Sequence, residues 1–182
     1  MEPTQSVPLP GDVRLMPLKS HVDNRGNLTE VFRNEWHESP LPAEWMVSRT
    51  QANALRGVHV RRHAWTYACV IAGEMVVGLH DLRPGSTAVR SAMLRLSTAP
   101  LHLLVIPSGV AYGFLSPRES TLVFGASESA DAEDRLSCRW DSPELHLDWP
   151  CEAPDLSAED SAAGGYAAMR ETVLAGRMVA LS

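Results

Sequence analysis

Short segments in which apolar and polar residues alternate cover most of the chain, and this pattern predicts strands. Expected strands lie at residues 13–18, 45–51, 65–72, 75–79, 91–96, 101–106, 110–115 and 120–126, with a further alternation over 28–32. Turn signals rich in glycine, proline, asparagine and aspartate separate them, such as Asp23-Asn24-Arg25-Gly26 and Pro107-Ser108-Gly109. Short strands at regular spacing, without a long helical period between them, predict an all-β sandwich or barrel.

Only the two ends of the chain depart from the strand pattern. Residues 1–12 include three prolines and are expected to form a flexible arm. Ser157 followed by Glu159 and Asp160 is typical of a capped helix start, and residues 166–174 have helical spacing. Because 182 residues suit one domain, we expect one body at 13–156 with a short C-terminal helical segment, 157–182, packed on it.

Composition narrows the class of partner and the compartment. The formal net charge of −6 argues against a nucleic-acid surface, which would be basic. Three scattered cysteines without a CxxC pair do not form a disulfide framework. The N-terminus lacks the basic and apolar regions of a signal peptide, and no apolar run reaches the ~20 residues of a membrane helix. We therefore expect a cytoplasmic protein without nucleic-acid or membrane partners.

Residues 55–63 concentrate the candidate chemistry. Val58 and Val60 alternate with His59 and Arg61, so on a strand the two polar side chains share one face. A histidine titrates near neutral pH and serves well as a general base. A polar pair facing inward indicates a lined cavity, whereas a structural histidine on a half-exposed strand is the alternative. From this stretch alone both interpretations stay open.

Two landmark turns of a cupin-type jelly roll, Gly73 and Pro107-Ser108-Gly109, frame the places where a cupin metal site would lie. The four ligand positions hold His59, Arg61, Thr66 and Tyr112. Arginine stays protonated and does not ligate a cation, so one histidine remains of the usual ligand set. We therefore expect no metal and no cofactor.

A series of short motifs resembles the dTDP-4-dehydrorhamnose 3,5-epimerase family of metal-free cupins over roughly residues 13–170. The motifs, in order, are Asp23-x-Arg25-Gly26, Glu30-x-Phe32, Gln51-x-Asn53, Arg56-Gly57-Val58-His59, Asp81-Leu82-Arg83-Pro84-Gly85-Ser86, residues 106–114, Arg139-Trp140-Asp141-Ser142-Pro143, Trp149-Pro150 and residues 156–160. The resemblance implies a cupin-type jelly-roll β-sandwich or barrel, a homodimer, and an isomerase that acts on a dTDP-linked 4-keto-6-deoxy sugar at C3, C5 or both.

The resemblance also implies roles for individual residues. His59 matches the base that removes a proton next to the ketone, and Asp160 matches the carboxylate that orients it. Arg25 and Arg56 match residues that hold the diphosphate, a task suited to guanidinium groups. The remaining positions expected to face substrate are Glu30, Gln51, Asn53, Arg61 and Thr66. Taken singly, Glu30 would be a surface charge and the amides strand-end hydrogen-bonding groups.

The positions that match the family's proton-donating tyrosine and its neighbours hold different residues in this chain. The family's tyrosine falls at Ser129 or Ala130, its lysine at Thr66 and a histidine at Tyr112, and Glu159 stands where the family often has a basic residue. Three hypotheses follow. Tyr112 or Tyr67 supplies the acid; His59 acts alone on one face or one carbon; or a repurposed cupin has lost epimerisation and binds a ligand or performs another single-base reaction.

Overall fold

The computed structural model describes residues 8–36, 39–85, 89–129 and 134–179, with side chains through residue 175. Strands occupy β1 Arg14–Pro17, β2 Ser20–Asp23, β3 Gly26–Thr29, β4 Glu44–Thr50, β5 Leu55–Arg61, β6 Thr66–Ala72, β7 Glu74–Asp81, β8 Ser91–Ser97, β9 His102–Ile106, β10 Val110–Leu115, β11 Ser120–Ala126 and β12 Arg135–Ser137. The helices are α1 Ala158–Ser161 and α2 Tyr166–Val179, with single 3₁₀ turns at Asn34–Trp36 and Pro143–Leu145.

Two five-stranded antiparallel sheets face each other and form the predicted jelly roll. The first sheet has the order β1-β9-β6-β11-β4 and the second β12-β5-β10-β7-β8, while β2 and β3 form a separate hairpin. The core between the sheets is built from alternating inward residues, among them Ala68, Met75, Leu104 and Leu122. The all-β expectation is thus confirmed, and the interior polar positions of β5 are available to line a cavity.

A β-bulge in β5 brings its polar residues to one face. In the ladder with β10, Tyr112 pairs with His59 but Phe114 pairs with Arg56, so the register shifts between them. Gly57 within the bulge has φ +117°, and a Cβ there would lie 2.8 Å from a backbone oxygen. The extra residue lets Arg56, three positions before His59, face the same cavity as His59 and Arg61.

The C-terminal segment covers the outer face of the second sheet. Val58 and Val60 pack there with Leu145, Met169 and Val173 in one buried cluster. The Trp149 ring lies over the paired glycines of β7 and β10; a Cβ on Gly78 would come within 2.8 Å of it. The helical segment therefore packs on the second sheet of the jelly roll. No helix among the described residues has the length and apolar character needed to span a membrane.

The structure differs from the predicted elements at several places, and one of them is β2, which was not predicted. The described part of the arm is held in place, because Arg83 donates to the Gly11 carbonyl and pairs with Asp12; residues 1–7 lie outside the described residues. The strand expected over 28–32 ends at Thr29 because β2 is the only strand that β3 pairs with among the described residues. β12 was not predicted, and α2 runs past the expected end at residue 174.

Candidate active site

A cavity of about 1030 Å³ opens between the two sheets. Its lining combines polar groups from β5 with residues of β4, β6, β10, β11 and the segment around α1. The predicted site residues that line it are Gln51, Arg56, His59, Arg61, Thr66, Tyr112 and Asp160. A concave site of this size with a few convergent polar groups is typical of small-molecule binding.

His59 and Asp160 form the chemical centre of the cavity. The His59 Nε2 lies 2.7 Å from Asp160 Oδ1, although the residues are 101 positions apart. The two side chains are 13% and 7% exposed, so the pair is shielded from bulk water at the cavity wall. An ionised carboxylate only accepts hydrogen bonds, so Nε2 carries the proton and the Nδ1 lone pair is the basic position.

The start of α1 holds the carboxylate in place. The backbone N–H of Asp160 donates to Ser157 Oγ, the N-cap of the helix, at 3.0 Å. The Gly57 N–H lies 3.4 Å from Asp160 Oδ2 and ties the carboxylate to the bulge of β5. Burial alone would raise the pKa of Asp160, but the hydrogen bond and charge of His59 outweigh it, and this pKa lies below its usual value. Asp160 is therefore ionised at neutral pH.

Tyr112 connects the two walls of the cavity. Its backbone lies beside His59 on the second sheet, and the two rings are perpendicular with centroids 6.4 Å apart. Its hydroxyl lies 3.3 Å from Thr66 Oγ1 on the first sheet and accepts a hydrogen bond from it. The phenol therefore reaches from the second sheet to Thr66 on the first.

The cavity is less negative than the protein as a whole. Four arginines line it, against three carboxylates: Arg49, Arg56, Arg61 and Arg135, with Asp155, Glu159 and Asp160. The Arg56 Nε donates to Thr50 Oγ1 at 3.0 Å, which fixes the guanidinium stem near the entrance. A local excess of arginine suits an anionic ligand despite the net charge of −6.

Three predicted site residues do not line this cavity. Arg25 lies on the exposed β2–β3 hairpin and pairs with Asp23, and Glu30 follows that hairpin and pairs with Arg33. Asn53 forms the turn between β4 and β5, where its side-chain amide donates to the Ala153 carbonyl at 3.0 Å. The structure therefore does not bring these residues to His59 within one chain, and their role in substrate binding stays a prediction.

Of the two tyrosines considered as the acid, Tyr112 lines the cavity and Tyr67 does not. Tyr67 faces the outer side of the first sheet, where it packs with Leu103 and Val105 and donates to the Pro40 carbonyl. Of the two positions matching the family's tyrosine, Ser129 does not line the cavity and Ala130 lies outside the described residues.

Sequence reasoning missed several cavity residues. Arg135 and the hydroxyl-bearing Ser48 and Thr50 line the cavity without any local motif that marks them. Ser157 was predicted to start a helix and lies within one motif of the resemblance, but its place beside the carboxylate follows from the fold. Within the described ranges, no group of three or more histidine, cysteine, aspartate or glutamate residues lies close enough to hold a metal ion.

Comparisons with known proteins converge on one family. A sequence profile of dTDP-4-dehydrorhamnose 3,5-epimerase matches residues 7–167. The chain is 28% identical over 172 residues to the enzyme of that name from Neisseria gonorrhoeae; the match covers 90% of this chain but 52% of the relative, so the chain spans about half its length.

Solved structures give the same answer for the fold. The RmlC epimerase of Mycobacterium tuberculosis has a TM-score of 0.83 at 23% identity, covering 90% of this chain and 88% of that one. ChmJ, a 3'-monoepimerase from Streptomyces bikiniensis in complex with dTDP-quinovose, has a TM-score of 0.76 at 25% identity, covering 91% and 96% of the two chains.

Proposed function

The chain belongs to the dTDP-4-dehydrorhamnose 3,5-epimerase family, a family of isomerases that act on carbohydrates, and from this membership we propose that it epimerises a dTDP-linked 4-keto-6-deoxy sugar at C3, C5 or both. The observation that carries the proposal is the shielded His59–Asp160 pair, with its 2.7 Å hydrogen bond, in a cavity between the sheets. A histidine so oriented is suited to remove a proton made acidic by a neighbouring ketone. The solved complex of ChmJ with dTDP-quinovose supports the class of ligand.

The proposed reaction begins at His59 Nδ1. This nitrogen takes the proton from the carbon beside the ketone, the C–H electron pair becomes the carbon–carbon double bond, and the carbonyl pair moves onto oxygen to give an enolate. Asp160 stabilises the imidazolium that forms. Tyr112 then returns a proton to the same carbon from the other side, with inverted configuration. The transient phenolate regains a proton from solvent, and the His59 imidazolium releases to solvent the proton that it took. Atoms and charge balance without a cofactor or metal.

Tyr112 is proposed as the acid because of where its hydroxyl lies. A base and an acid that invert a carbon must approach it from opposite faces of the sugar ring. The Tyr112 hydroxyl meets Thr66 on the sheet facing His59, and Thr66 donates to it, so the phenolic proton is available. Inversion at a single carbon is the related possibility, and the 3'-monoepimerase ChmJ shows that this fold supports it.

The test is proton–deuterium exchange, followed by NMR, on dTDP-4-keto-6-deoxyglucose in heavy water. We expect deuterium to enter C3 or C5 with inversion, and His59→Ala to abolish the exchange. Tyr112→Phe should retain exchange at the position that His59 reaches but form much less inverted product. Exchange without inversion in the wild-type protein would instead support His59 acting on one face. Ligand binding without any exchange would support a repurposed cupin, the second candidate function.

We further propose that the protein works as a homodimer in which the β2–β3 hairpin contributes to the partner's cavity. Arg25 and Glu30, matched to substrate-binding positions, lie away from their own cavity. The hairpin is exposed and presents the apolar side chains of Val22 and Leu28, which are 78% and 70% exposed. An exposed apolar ribbon is typical of an interaction surface.

Subunit mixing tests this arrangement. His59→Ala and Arg25→Ala proteins should each be nearly inactive, and light scattering should show a dimer. If the sites are shared, randomly mixed subunits regain about a quarter of the wild-type sites, because half of the dimers carry one intact site of two. A monomer, or mixtures that remain inactive, would count against a shared site.

A further inference from the structure

Of the four arginines that line the cavity, Arg61 alone is buried. Its side chain is 9% exposed, whereas that of Arg135 is 40% exposed. Arg135 is also occupied, since its Nη2 lies 2.6 Å from Glu159 Oε1. Arg49 and Arg56 are exposed residues of the lining. Arg61 is therefore the most shielded cation of the lining.

The guanidinium of Arg61 keeps a donor without an acceptor. Its Nε is buried and has no hydrogen-bond partner among the described residues. The Arg61 Nη1 lies 3.6 Å from Asp134 Oδ2, an ion-pair contact that is too long for a hydrogen bond. A buried, unsatisfied donor is unfavourable in the absence of ligand. Because Arg61 lines the cavity, a ligand that reaches its guanidinium can supply an acceptor that the protein does not.

The spacing of Arg61 and His59 on β5 suits a substrate in which the acidic C–H lies next to a ketone. His59 and Arg61 lie two residues apart on one face of β5, about 7 Å along the strand. The acidic C–H and the carbonyl oxygen of a 4-keto sugar are on adjacent carbons, so the base and the oxygen's partner must stand side by side. His59 and Arg61 meet this requirement, because they are neighbours on one face of β5 and the strand holds them at a fixed spacing.

We propose that Arg61 holds the enolate: it donates an N–H to the C4 oxygen of the bound 4-keto sugar while His59 removes the adjacent proton. The inference rests on the proposed epimerase function and adds a catalytic residue to it. The positive charge is aimed at the oxygen where negative charge develops, and its shielded setting strengthens the interaction. Arg61 stays protonated throughout, so the step needs no further reactant. The positive charge that stabilises the enolate oxygen therefore comes from Arg61 on β5, while Thr66 on the facing β6 supplies only a hydroxyl.

The experiment compares wild-type protein with Arg61→Gln in two measurements. One is the rate of deuterium uptake into dTDP-4-keto-6-deoxyglucose by NMR, and the other is the dissociation constant for dTDP by calorimetry. We expect Arg61→Gln to lower the exchange rate by roughly 10²- to 10³-fold, as the loss of one oxyanion donor does. The affinity for dTDP, which lacks the keto sugar, should change less than about threefold. Arg95→Gln removes an exposed arginine on β8 and should change neither measurement.

A second variant keeps the test valid if Arg61→Gln fails to fold. Arg61→Gln removes the counter-charge of Asp134, whose side chain is 6% exposed, so the double variant Arg61→Gln/Asp134→Asn removes both charges together. It should fold, bind dTDP and show the same loss of exchange. Exchange within threefold of wild type in either folded variant would overturn the inference, and so would a parallel loss of exchange and dTDP binding. Absence of exchange in the wild-type protein would overturn the epimerase function and this inference with it.

Discussion

Two histidines on the second sheet, His59 and His80, are both held by the C-terminal segment but lie on opposite faces. Each is on a strand beside β10: His59 pairs with Tyr112 and His80 with Ala111. Consecutive residues of β10 point to opposite faces, so His59 faces the cavity and His80 faces the covering helix α2.

The surroundings of His80 suit a neutral ring. Its Nδ1 lies 3.1 Å from the Leu145 carbonyl and 2.9 Å from Ser91 Oγ, and its Nε2 lies 2.9 Å from the Tyr166 hydroxyl. A carbonyl only accepts, so Nδ1 carries the proton and Nε2 accepts from Tyr166. Burial of the ring, which is 2% exposed, lowers the pKa of His80. Both nitrogens are engaged, and the ring links β7 to α2.

The difference shows what turns a histidine into a base in this fold. His59 has a carboxylate beside Nε2 and lines the cavity, so the ring can gain a proton while the carboxylate stabilises its positive charge. His80 has only uncharged partners, the Leu145 carbonyl and the Tyr166 phenol, and a proton added at Nε2 would require the phenol to turn its own proton away. Both histidines lie on the same sheet. What distinguishes them is whether the ring lines the cavity and whether its hydrogen-bond partner carries a charge.

The largest expected effect comes from exchanging each histidine for glutamine. His59→Gln should lower deuterium exchange by about 10²- to 10⁴-fold, because it removes the general base. His80→Gln should leave the exchange rate within about threefold and lower the free energy of unfolding by about 1–3 kcal/mol, since it disturbs a buried hydrogen-bonded group. NMR exchange rates and urea denaturation of both variants check this. Equal loss of exchange in the two variants would contradict the division of roles.

The next effect concerns the partners of the two rings. Asp160→Asn should lower exchange by about 10- to 100-fold, because the amide no longer stabilises the imidazolium and can present its NH₂ to Nε2. Tyr166→Phe, the matched change at the other site, should cost about 1 kcal/mol of stability and leave exchange unchanged. The same two measurements apply, and a Tyr166→Phe protein with impaired exchange would show that α2 shapes the cavity through β5.

Which side chains of β5 share a face was predictable, because the alternation of apolar and polar residues can be read from the segment itself. Val58 and Val60 pack under the helical segment, while His59 and Arg61 face the cavity, as the pattern indicated. The bulge at Gly57, by contrast, depends on pairing with β10, and nothing in the segment alone fixes its register. The three residues of β12 are too few to show alternation.

The partner of the base could not be derived from spacing. Asp160 lies 101 residues beyond His59, and only the family resemblance pointed to it before the fold brought them together. The resemblance also led to the expectation that Arg25 and Glu30 share the site, which a single chain does not satisfy. Arg61 was expected to face substrate, but its burial and its unsatisfied Nε appear only in three dimensions.

A smaller effect should appear in the pH dependence of stability. Because the folded state lowers the pKa of His80 from 6.5, the unfolded chain takes up this proton first as pH falls. The free energy of unfolding therefore decreases below about pH 6.5, by at most about 1.4 kcal/mol per pH unit for one proton. His80→Gln should be less pH-dependent than wild type between pH 7 and 5 in urea denaturation. The neighbouring Asp81, Arg90 and His146 are present in both proteins and cancel in the difference; identical slopes would refute a neutral His80.

The smallest effect should come from the cap that positions the carboxylate. Ser157→Ala removes the acceptor for the Asp160 N–H, and since α1 has one turn and Ser157 is exposed, we expect a loss near 0.5 kcal/mol, the low end for an N-cap. Exchange should fall only a few-fold, because His59 and Gly57 still hold the carboxylate.

Ser157→Thr should restore both the stability and the exchange rate. Thr172→Ala, which removes a hydroxyl bonded within α2, is the matched control and should leave exchange unchanged. If Ser157→Ala lowers stability but not exchange, then the contacts of Asp160 with β5 are enough to orient it. The His59 site would then depend on the helical segment less than the His80 site does.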